Sequence, residues 1–186
     1  MSRFDVIDTS LPGLKVVQRE HRGDGRGFFS RLFCAEELAA AGWRKPISQI
    51  NHTLTKRIGT VRGMHFQYPP HAEVKLVTCL RGAVWDVAVD MRLGSPTLLS
   101  WHGEELTPEN RRAMLIPEGF AHGFQTLSAD CELLYMHSAA YAPGGEGGVD
   151  ACDPRIGIDW PLEITERSAR DESHARLAQG FRGIAL

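Results

Sequence analysis

Gly59-Thr60-Val61-Arg62-Gly63-Met64-His65-Phe66-Gln67, followed by Lys75-Leu76-Val77-Thr78-Cys79-Leu80-Arg81-Gly82 and later by Pro117-Glu118-Gly119-Phe120-Ala121-His122-Gly123-Phe124-Gln125, is the sequence that decides the fold. Each piece is a short apolar run bounded by glycine or proline, the mark of a strand that ends in a tight turn. Outward from it, residues 46–141 continue the pattern, with runs at 75–80, 83–89, 97–102, 113–116, 123–127 and 131–137. Arg81-Gly82, Leu93-Gly94-Ser95-Pro96 and Pro117-Glu118-Gly119 separate them with residues that favour turns. Many short strands at this spacing predict a mainly β sandwich or barrel. Two segments read as peripheral helices: 34–42, rich in strong helix formers and stopped by Gly42, and 166–177, polar and weakly amphipathic. Residues 142–148, Ala-Pro-Gly-Gly-Glu-Gly-Gly, predict a mobile loop or turn.

The chain has 186 residues, enough for one domain with a full core but cramped for two. We divide it into N-terminal strands to about 45, a barrel core over about 46–141, and a C-terminal loop with a helical tail over about 142–186. Lys plus Arg number 21 and Asp plus Glu 23, for a formal charge of −2. No basic block stands out, which argues against a nucleic-acid partner. The first 25 residues carry charges throughout, and no apolar run approaches membrane-spanning length, so the expected location is the cytoplasm, without a membrane partner. Cys34, Cys79, Cys131 and Cys152 are widely spaced with no C-x-x-C pair, which fits reduced structural thiols.

The spacing of His65, Gln67, Lys75 and Gly82, with Pro117, Gly119, His122 and Gln125, resembles the two short motifs of a cupin jelly-roll barrel. In that fold the first motif normally supplies two His and a Glu to a metal and the second a further His. Here Gln67 and Lys75 stand at two ligand positions, and a protonated lysine repels a divalent cation. The expectation is therefore no metal and no cofactor. A base, His65, beside a fixed cation, Lys75, suits a reaction that removes a proton from carbon and leaves an oxyanion. His65, Gln67, Lys75, His122 and Tyr135 are expected on strands or strand ends, where a barrel could gather them around one cavity. Alternation in Val74-Lys75-Leu76-Val77 does not say which face is inside.

Further stretches extend the resemblance to a named family. They include Asp86-Val87-Ala88-Val89-Asp90, Gly94-Ser95-Pro96, the 110–112 segment, Leu134-Tyr135 and Gly157-Ile158-Asp159-Trp160-Pro161. Together with the opening motifs, over about residues 15–175, they are similar to the dTDP-4-dehydrorhamnose 3,5-epimerases, metal-free cupins. The resemblance implies an isomerase acting on a nucleoside-diphosphate 4-keto-6-deoxyhexose. The C4 ketone acidifies the C–H bonds at C3 and C5. By resemblance His65 is the base, Lys75 the partner of the enolate oxygen, and Tyr135 the acid on the opposite face. Arg62 holds diphosphate or sugar oxygens. A carboxylate that fixes the histidine falls on Asp171, through Ser168-Ala169-Arg170-Asp171, while a competing register through Thr165 puts Ser168 in its place.

The run Arg22-Gly23-Asp24-Gly25-Arg26-Gly27-Phe28-Phe29 resembles the family's nucleotide-binding segment, with Arg26 for phosphate and Phe29 for the base. Gln49, Asn51, Gln67, His122 and Tyr141 complete the implied substrate contacts. Arg22 stands where the family usually has Phe, and Arg31 near where it has Glu, which predicts a nucleotide base other than thymine. Ala140 replaces one of two adjacent tyrosines, which predicts inversion at a single carbon as an alternative to two. The resemblance also implies a homodimer in which N-terminal strands complete the partner's site. Two readings compete with the epimerase: a non-catalytic cupin that binds a sugar nucleotide, and a metal-dependent cupin, against which Gln67 and Lys75 speak.

Overall fold

The computed structural model describes residues 2–186. In chain order its strands are β1 (Phe4–Asp8), β2 (Lys15–Arg19), β3 (His21–Asp24), β4 (Gly27–Ser30), β5 (Gln49–Thr55), β6 (Val61–Gln67), β7 (Lys75–Arg81), β8 (Val84–Asp90), β9 (Trp101–Leu106), β10 (Arg112–Ile116), β11 (Phe120–Thr126), β12 (Cys131–His137) and β13 (Glu146–Gly148). Two short helices, α1 (Ala35–Ala39) and α2 (Ala169–Glu172), lie outside them. The strands form a six-stranded sheet, β1-β2-β10-β7-β12-β5, a five-stranded sheet, β13-β6-β11-β8-β9, and a separate β3-β4 hairpin. Their pairings are antiparallel, and apart from β1-β2 and β8-β9 the neighbours in the two large sheets are distant in the chain, as in a cupin-type jelly roll.

The continuous apolar runs of the sequence become strands buried on both faces, which requires a layer outside each sheet. Between the sheets, Val77, Cys79, Met114, Ile116 and Leu133 meet Val84, Ala88, Leu106, Phe120 and Phe124. Behind the six-stranded sheet, Leu76, Ala113, Leu115 and Met136 pack against Leu38, Ala41 and Trp43 of the α1 segment. Behind the five-stranded sheet, Val61, Met64, Val87, Val89 and Ala121 are covered by Val149, Ala151, Ile156 and Ile184 of the C-terminal segment. These outer layers settle the phase of β7: Leu76 faces α1, so Lys75 and Val77 face the barrel interior.

Several expectations need correction. The run 97–102 does not form one strand, because Leu99 adopts a φ of 67° and Ser95 and Thr97 fold back onto Asp90, so β9 starts at Trp101. The helix expected over 166–177 shrinks to Ala169–Glu172. Residues after it are drawn away by Asp150, whose N–H donates to the Ala175 carbonyl, and by Asp153, whose carboxylate accepts from the Leu177 N–H. Residues 142–148, expected as a mobile loop or turn, do turn at Pro143–Gly145, but Glu146–Gly148 pair with β6 as β13. Glycine is required there, since a Cβ at Gly147 would lie 2.5 Å from the Phe66 ring and one at Gly148 would lie 2.3 Å from the His174 ring.

Candidate active site

One end of the space between the sheets is polar and holds a cavity of ≈240 Å³. Gln49, Asn51 and Thr53 enter from alternate positions of β5, Tyr135 and His137 from β12, and Lys75 from the start of β7. Facing them are Arg62, His65 and Gln67 of β6 and His122 and Phe124 of β11. Arg62 and His65 are three residues apart and would lie on opposite faces of a regular strand. In β6, however, His65 pairs with His122 and Arg62 with Phe124, so the strand carries one extra residue, a β-bulge. Gly63, with a φ of 130° and no room for a Cβ against Gly123, is the residue that bends. The bulge turns both functional side chains inward.

His65 Nε2 lies 2.7 Å from Asp171 Oδ1. Asp171 sits in α2, whose N-cap Ser168 accepts a hydrogen bond from the Asp171 N–H at 3.0 Å. Of the two registers open in the sequence, the carboxylate beside His65 is thus Asp171, and Ser168 is its helix cap. Burial alone would push the Asp171 carboxyl up, but the hydrogen bond and charge of His65, with the Gly63 N–H and Ser168, hold it below the usual range. It is therefore an anion. With Nε2 donating to that anion, the tautomer is fixed and Nδ1 is the nitrogen left to accept a proton.

Lys75 Nζ contacts Glu73 Oε1 at 3.2 Å, and the other Glu73 oxygen accepts from His137 Nδ1 at 2.8 Å. Asn51 Nδ2 meets His137 Nε2 at 3.3 Å, Gln49 Nε2 donates to Asn51 Oδ1 at 2.9 Å, and the Tyr141 N–H donates to Gln49 at 3.0 Å. The chain of bonds thus runs from the mouth of the cavity to the ammonium. Burial would raise the Glu73 carboxyl, yet His137 and Lys75 together bring it below the ordinary value, so it stays ionised. Tyr135 stands between the His122 and His137 rings, with centroids 6.0 Å from each. Burial, reinforced by the Asp86 charge, raises its phenol, which keeps its proton. His122 is itself bonded to buried Asp86 at 2.8 Å.

Not every expected residue joins this cluster. Arg26 and Phe29 lie on the β3-β4 hairpin, away from the cavity, with Phe29 62% exposed and Arg26 paired to Asp24. Gln67 lines the cavity but its amide is taken by backbone: it donates to the His71 and Ala140 carbonyls and accepts from the Ala142 N–H. Tyr141 stands at the rim, its hydroxyl bonded to Glu146. Arg62 and His65 also border a second, outer groove with Lys56, Arg57, Arg167 and Arg170, a cationic surface suited to anionic oxygens. Sequence reading missed Glu73, His137, Asp86 and His174. The cross-strand pairing of His137 with Lys75 is the one signal that could have found the first two, and it needs the register.

The cupin ligand positions do not converge as a metal donor set, since Lys75 is bound to Glu73 and His122 to Asp86. Among the described residues, the one group of three close donors is His65, Asp171 and His174.

The family model described as dTDP-4-dehydrorhamnose 3,5-epimerase matches residues 8–179. A protein of Sinorhizobium fredii named dTDP-4-dehydrorhamnose 3,5-epimerase is 42% identical over 171 residues, which are 91% of this chain and 88% of that one. A dTDP-4-dehydrorhamnose 3-epimerase of Streptomyces niveus is 40% identical over 170 residues, 91% of this chain and 82% of that one. Among solved structures, the 3,5-epimerase RmlC of Legionella pneumophila, in complex with dTDP-4-keto-L-rhamnose, superposes with a TM-score of 0.89 at 39% identity, covering 93% of this chain and 92% of that one.

Proposed function

This chain belongs to the dTDP-4-dehydrorhamnose 3,5-epimerase family, and on that premise we propose how its cavity inverts a sugar carbon. It is an isomerase of nucleotide-linked 4-keto-6-deoxyhexoses, removing a proton beside the C4 ketone and returning one from the opposite face. The observation that carries the residue assignment is the convergence of the His65–Asp171 pair, the Lys75 ammonium and the protonated Tyr135 on one cavity. His65 Nδ1 takes the proton from C3 or C5, and the C–H electron pair moves onto the ketone oxygen. Asp171 stabilises the imidazolium that forms. Lys75 stabilises the enolate oxygen in a partly dry site. Tyr135 returns the proton to the other face of the carbon.

The diphosphate lies against Arg62 and the outer cationic groove. Arg26 and Phe29 are too far from their own cavity to serve it, which supports a homodimer in which each β3-β4 hairpin reaches the partner's site. The exposed Ile50 and Leu54 on β5, an edge strand of the six-stranded sheet, fit a pairing surface. Arg22 is paired with Glu20 and Arg31 with Glu37. The nucleotide we propose is dTDP, as named for the relatives, in place of the other base that Arg22 and Arg31 predict. No described helix is long and apolar enough to cross a membrane, which accords with an enzyme working in the cytoplasm on a soluble nucleotide sugar.

The test is incubation in deuterated water with 4-keto-6-deoxyhexoses linked to dTDP, GDP, CDP and UDP, with deuterium located by NMR. The expected result is uptake with the dTDP sugar. Uptake at C3 and C5 assigns double inversion, and uptake at C3 alone assigns the single inversion that Ala140 predicts. Uptake with none of the four would overturn the reading in favour of a non-catalytic binder.

A further inference from the structure

His174 has no part in the chemistry above, yet its position is built. Its ring lies against Gly148, where any Cβ would come within 2.3 Å of it, and packs edge-on to the His65 ring at 5.5 Å between centroids. Its Nε2 is buried, makes no hydrogen bond, and lies 3.9 Å from Asp171 Oδ1. A buried imidazole nitrogen without a partner needs an explanation. The same carboxylate oxygen lies 2.7 Å from His65 Nε2, and the three donor atoms all fall within 4.8 Å of one another.

We propose that His65, Asp171 and His174 form a binding site for a divalent transition cation, zinc above all, and that occupancy switches the enzyme off. Two imidazoles and one carboxylate match the donor preference of zinc, whose bonds of about 2.0–2.2 Å set tetrahedral donors about 3.4 Å apart. Each pair here is within about 1.5 Å of that spacing, a distance that small side-chain rotations close. His65 lines both the cavity and the outer groove, and Asp171 lines the groove, which gives the ion a path. Of the cations nearby, Arg170 is paired with Glu146, Arg167 with Asp150, and Lys75 with Glu73. This site is not the cupin metal site, which used the positions of Gln67, Lys75 and His122; it shares only His65 with that set.

Inhibition follows from the tautomer, and this part rests on the assignment of His65 as the base. A cation can bind Nε2 only if the proton that Nε2 holds in its bond to Asp171 leaves and Nδ1 takes one up, which frees the Nε2 lone pair for the metal. No net proton is released, but Nδ1 can no longer accept one from carbon. Binding itself is independent of any substrate.

The test is calorimetric titration of the metal-free wild type and the His174→Ala variant with zinc chloride in a non-chelating buffer, without sugar nucleotide. The wild type should take up one zinc per chain at this site, and the variant should lose that uptake or bind at least tenfold more weakly. Should the variant fold poorly, imidazole nitrogen NMR of the wild type serves alone: zinc should shift the Nε2 signals of both His65 and His174 and leave the proton of His65 on Nδ1. Equal zinc uptake by wild type and folded variant, or no zinc-dependent change at the two Nε2 atoms, would overturn the site. Failure of the dTDP-sugar exchange assay would leave this binding result untouched. Saturating zinc should also abolish deuterium exchange in the wild type, with recovery on chelation; full exchange by the zinc-loaded enzyme would overturn the switch.

Discussion

Replacing Lys75 by methionine should slow turnover through the loss of one cation, and removing the carboxylate it leaves behind should give part of the rate back. Nζ lies 3.2 Å from Glu73, and the two side chains are only 10% and 8% exposed. An ammonium about 4 Å from an enolate oxygen stabilises it by ~4 kcal/mol at an effective dielectric of about 20. That is roughly a thousandfold in rate. In the variant Glu73 still holds its bond from His137 Nδ1 and stays ionised, now unopposed. A carboxylate about 6 Å from the same oxygen repels it by about 3 kcal/mol at that dielectric, in the variant as in the wild type. Lys75→Met should therefore lose about 10³ in kcat. The double variant Glu73→Gln, Lys75→Met should be the faster of the two, recovering up to about a hundredfold. Deuterium incorporation under single-turnover conditions reads both rates. A double variant no faster than the single one would show that the Glu73 charge is not felt at the enolate, and a Lys75→Met rate within tenfold of wild type would remove Lys75 from its role.

Asp171→Asn removes a charge-assisted bond of 2.7 Å and should cost about 1.5–3 kcal/mol, or about 10- to 150-fold in kcat with KM little changed, in steady-state kinetics. Ser168→Ala should cost about 1 kcal/mol of stability as a lost helix cap and leave kcat within about threefold, and the reverse ranking would favour the other register. Tyr135→Phe should keep His65-catalysed solvent exchange while inversion falls, and inversion at the wild-type rate would rule Tyr135 out as the acid. Gly63→Ala places a Cβ 2.6 Å from the Gly123 Cα and 2.9 Å from the His122 carbonyl at a φ of 130°, and should destabilise by about 3 kcal/mol or more in chemical denaturation. Burial opposes ionisation of Asp90, but Arg92, Ser95 and Thr97 outweigh it and hold the carboxyl at about 2, below its usual 3.8. Its stabilisation of about 2 kcal/mol is full above the unfolded value and is lost as the pH falls through the folded one. Denaturation between pH 5 and 2 should show that slope, and Asp90→Asn should flatten it.

The residues that an ordered motif could carry were legible: His65, Lys75, Tyr135 and Asp171 meet around one cavity, and the two sheets arise from the runs that alternate or stay apolar. What stayed hidden depends on partners far along the chain. The strand at 146–148 has no strand-forming residue, and exists because missing Cβ atoms admit the rings of Phe66 and His174. The tail is mostly irregular because Asp150 and Asp153 compete for its backbone and its arginine. Glu73 and His137 belong to no motif and become a unit through the β7-β12 register. The bulge at Gly63 defeats any period-of-two reading of β6, since it places residues an odd number apart on one face.

The pairing of His65 with Asp171 spans 106 residues and crosses from the barrel to the segment that covers its outer face. The strands between Gln49 and His137 pair with one another in both sheets without that segment, and closing contacts so distant in sequence costs chain entropy. Until they form, the barrel holds a histidine with no carboxylate to fix its tautomer. Proton transfer therefore reports on whether the tail is docked, and a molecule whose tail has come undone is silent rather than careless. Gentle proteolysis or mild denaturant that frees the tail should extinguish isotope exchange while the barrel's strand signal persists.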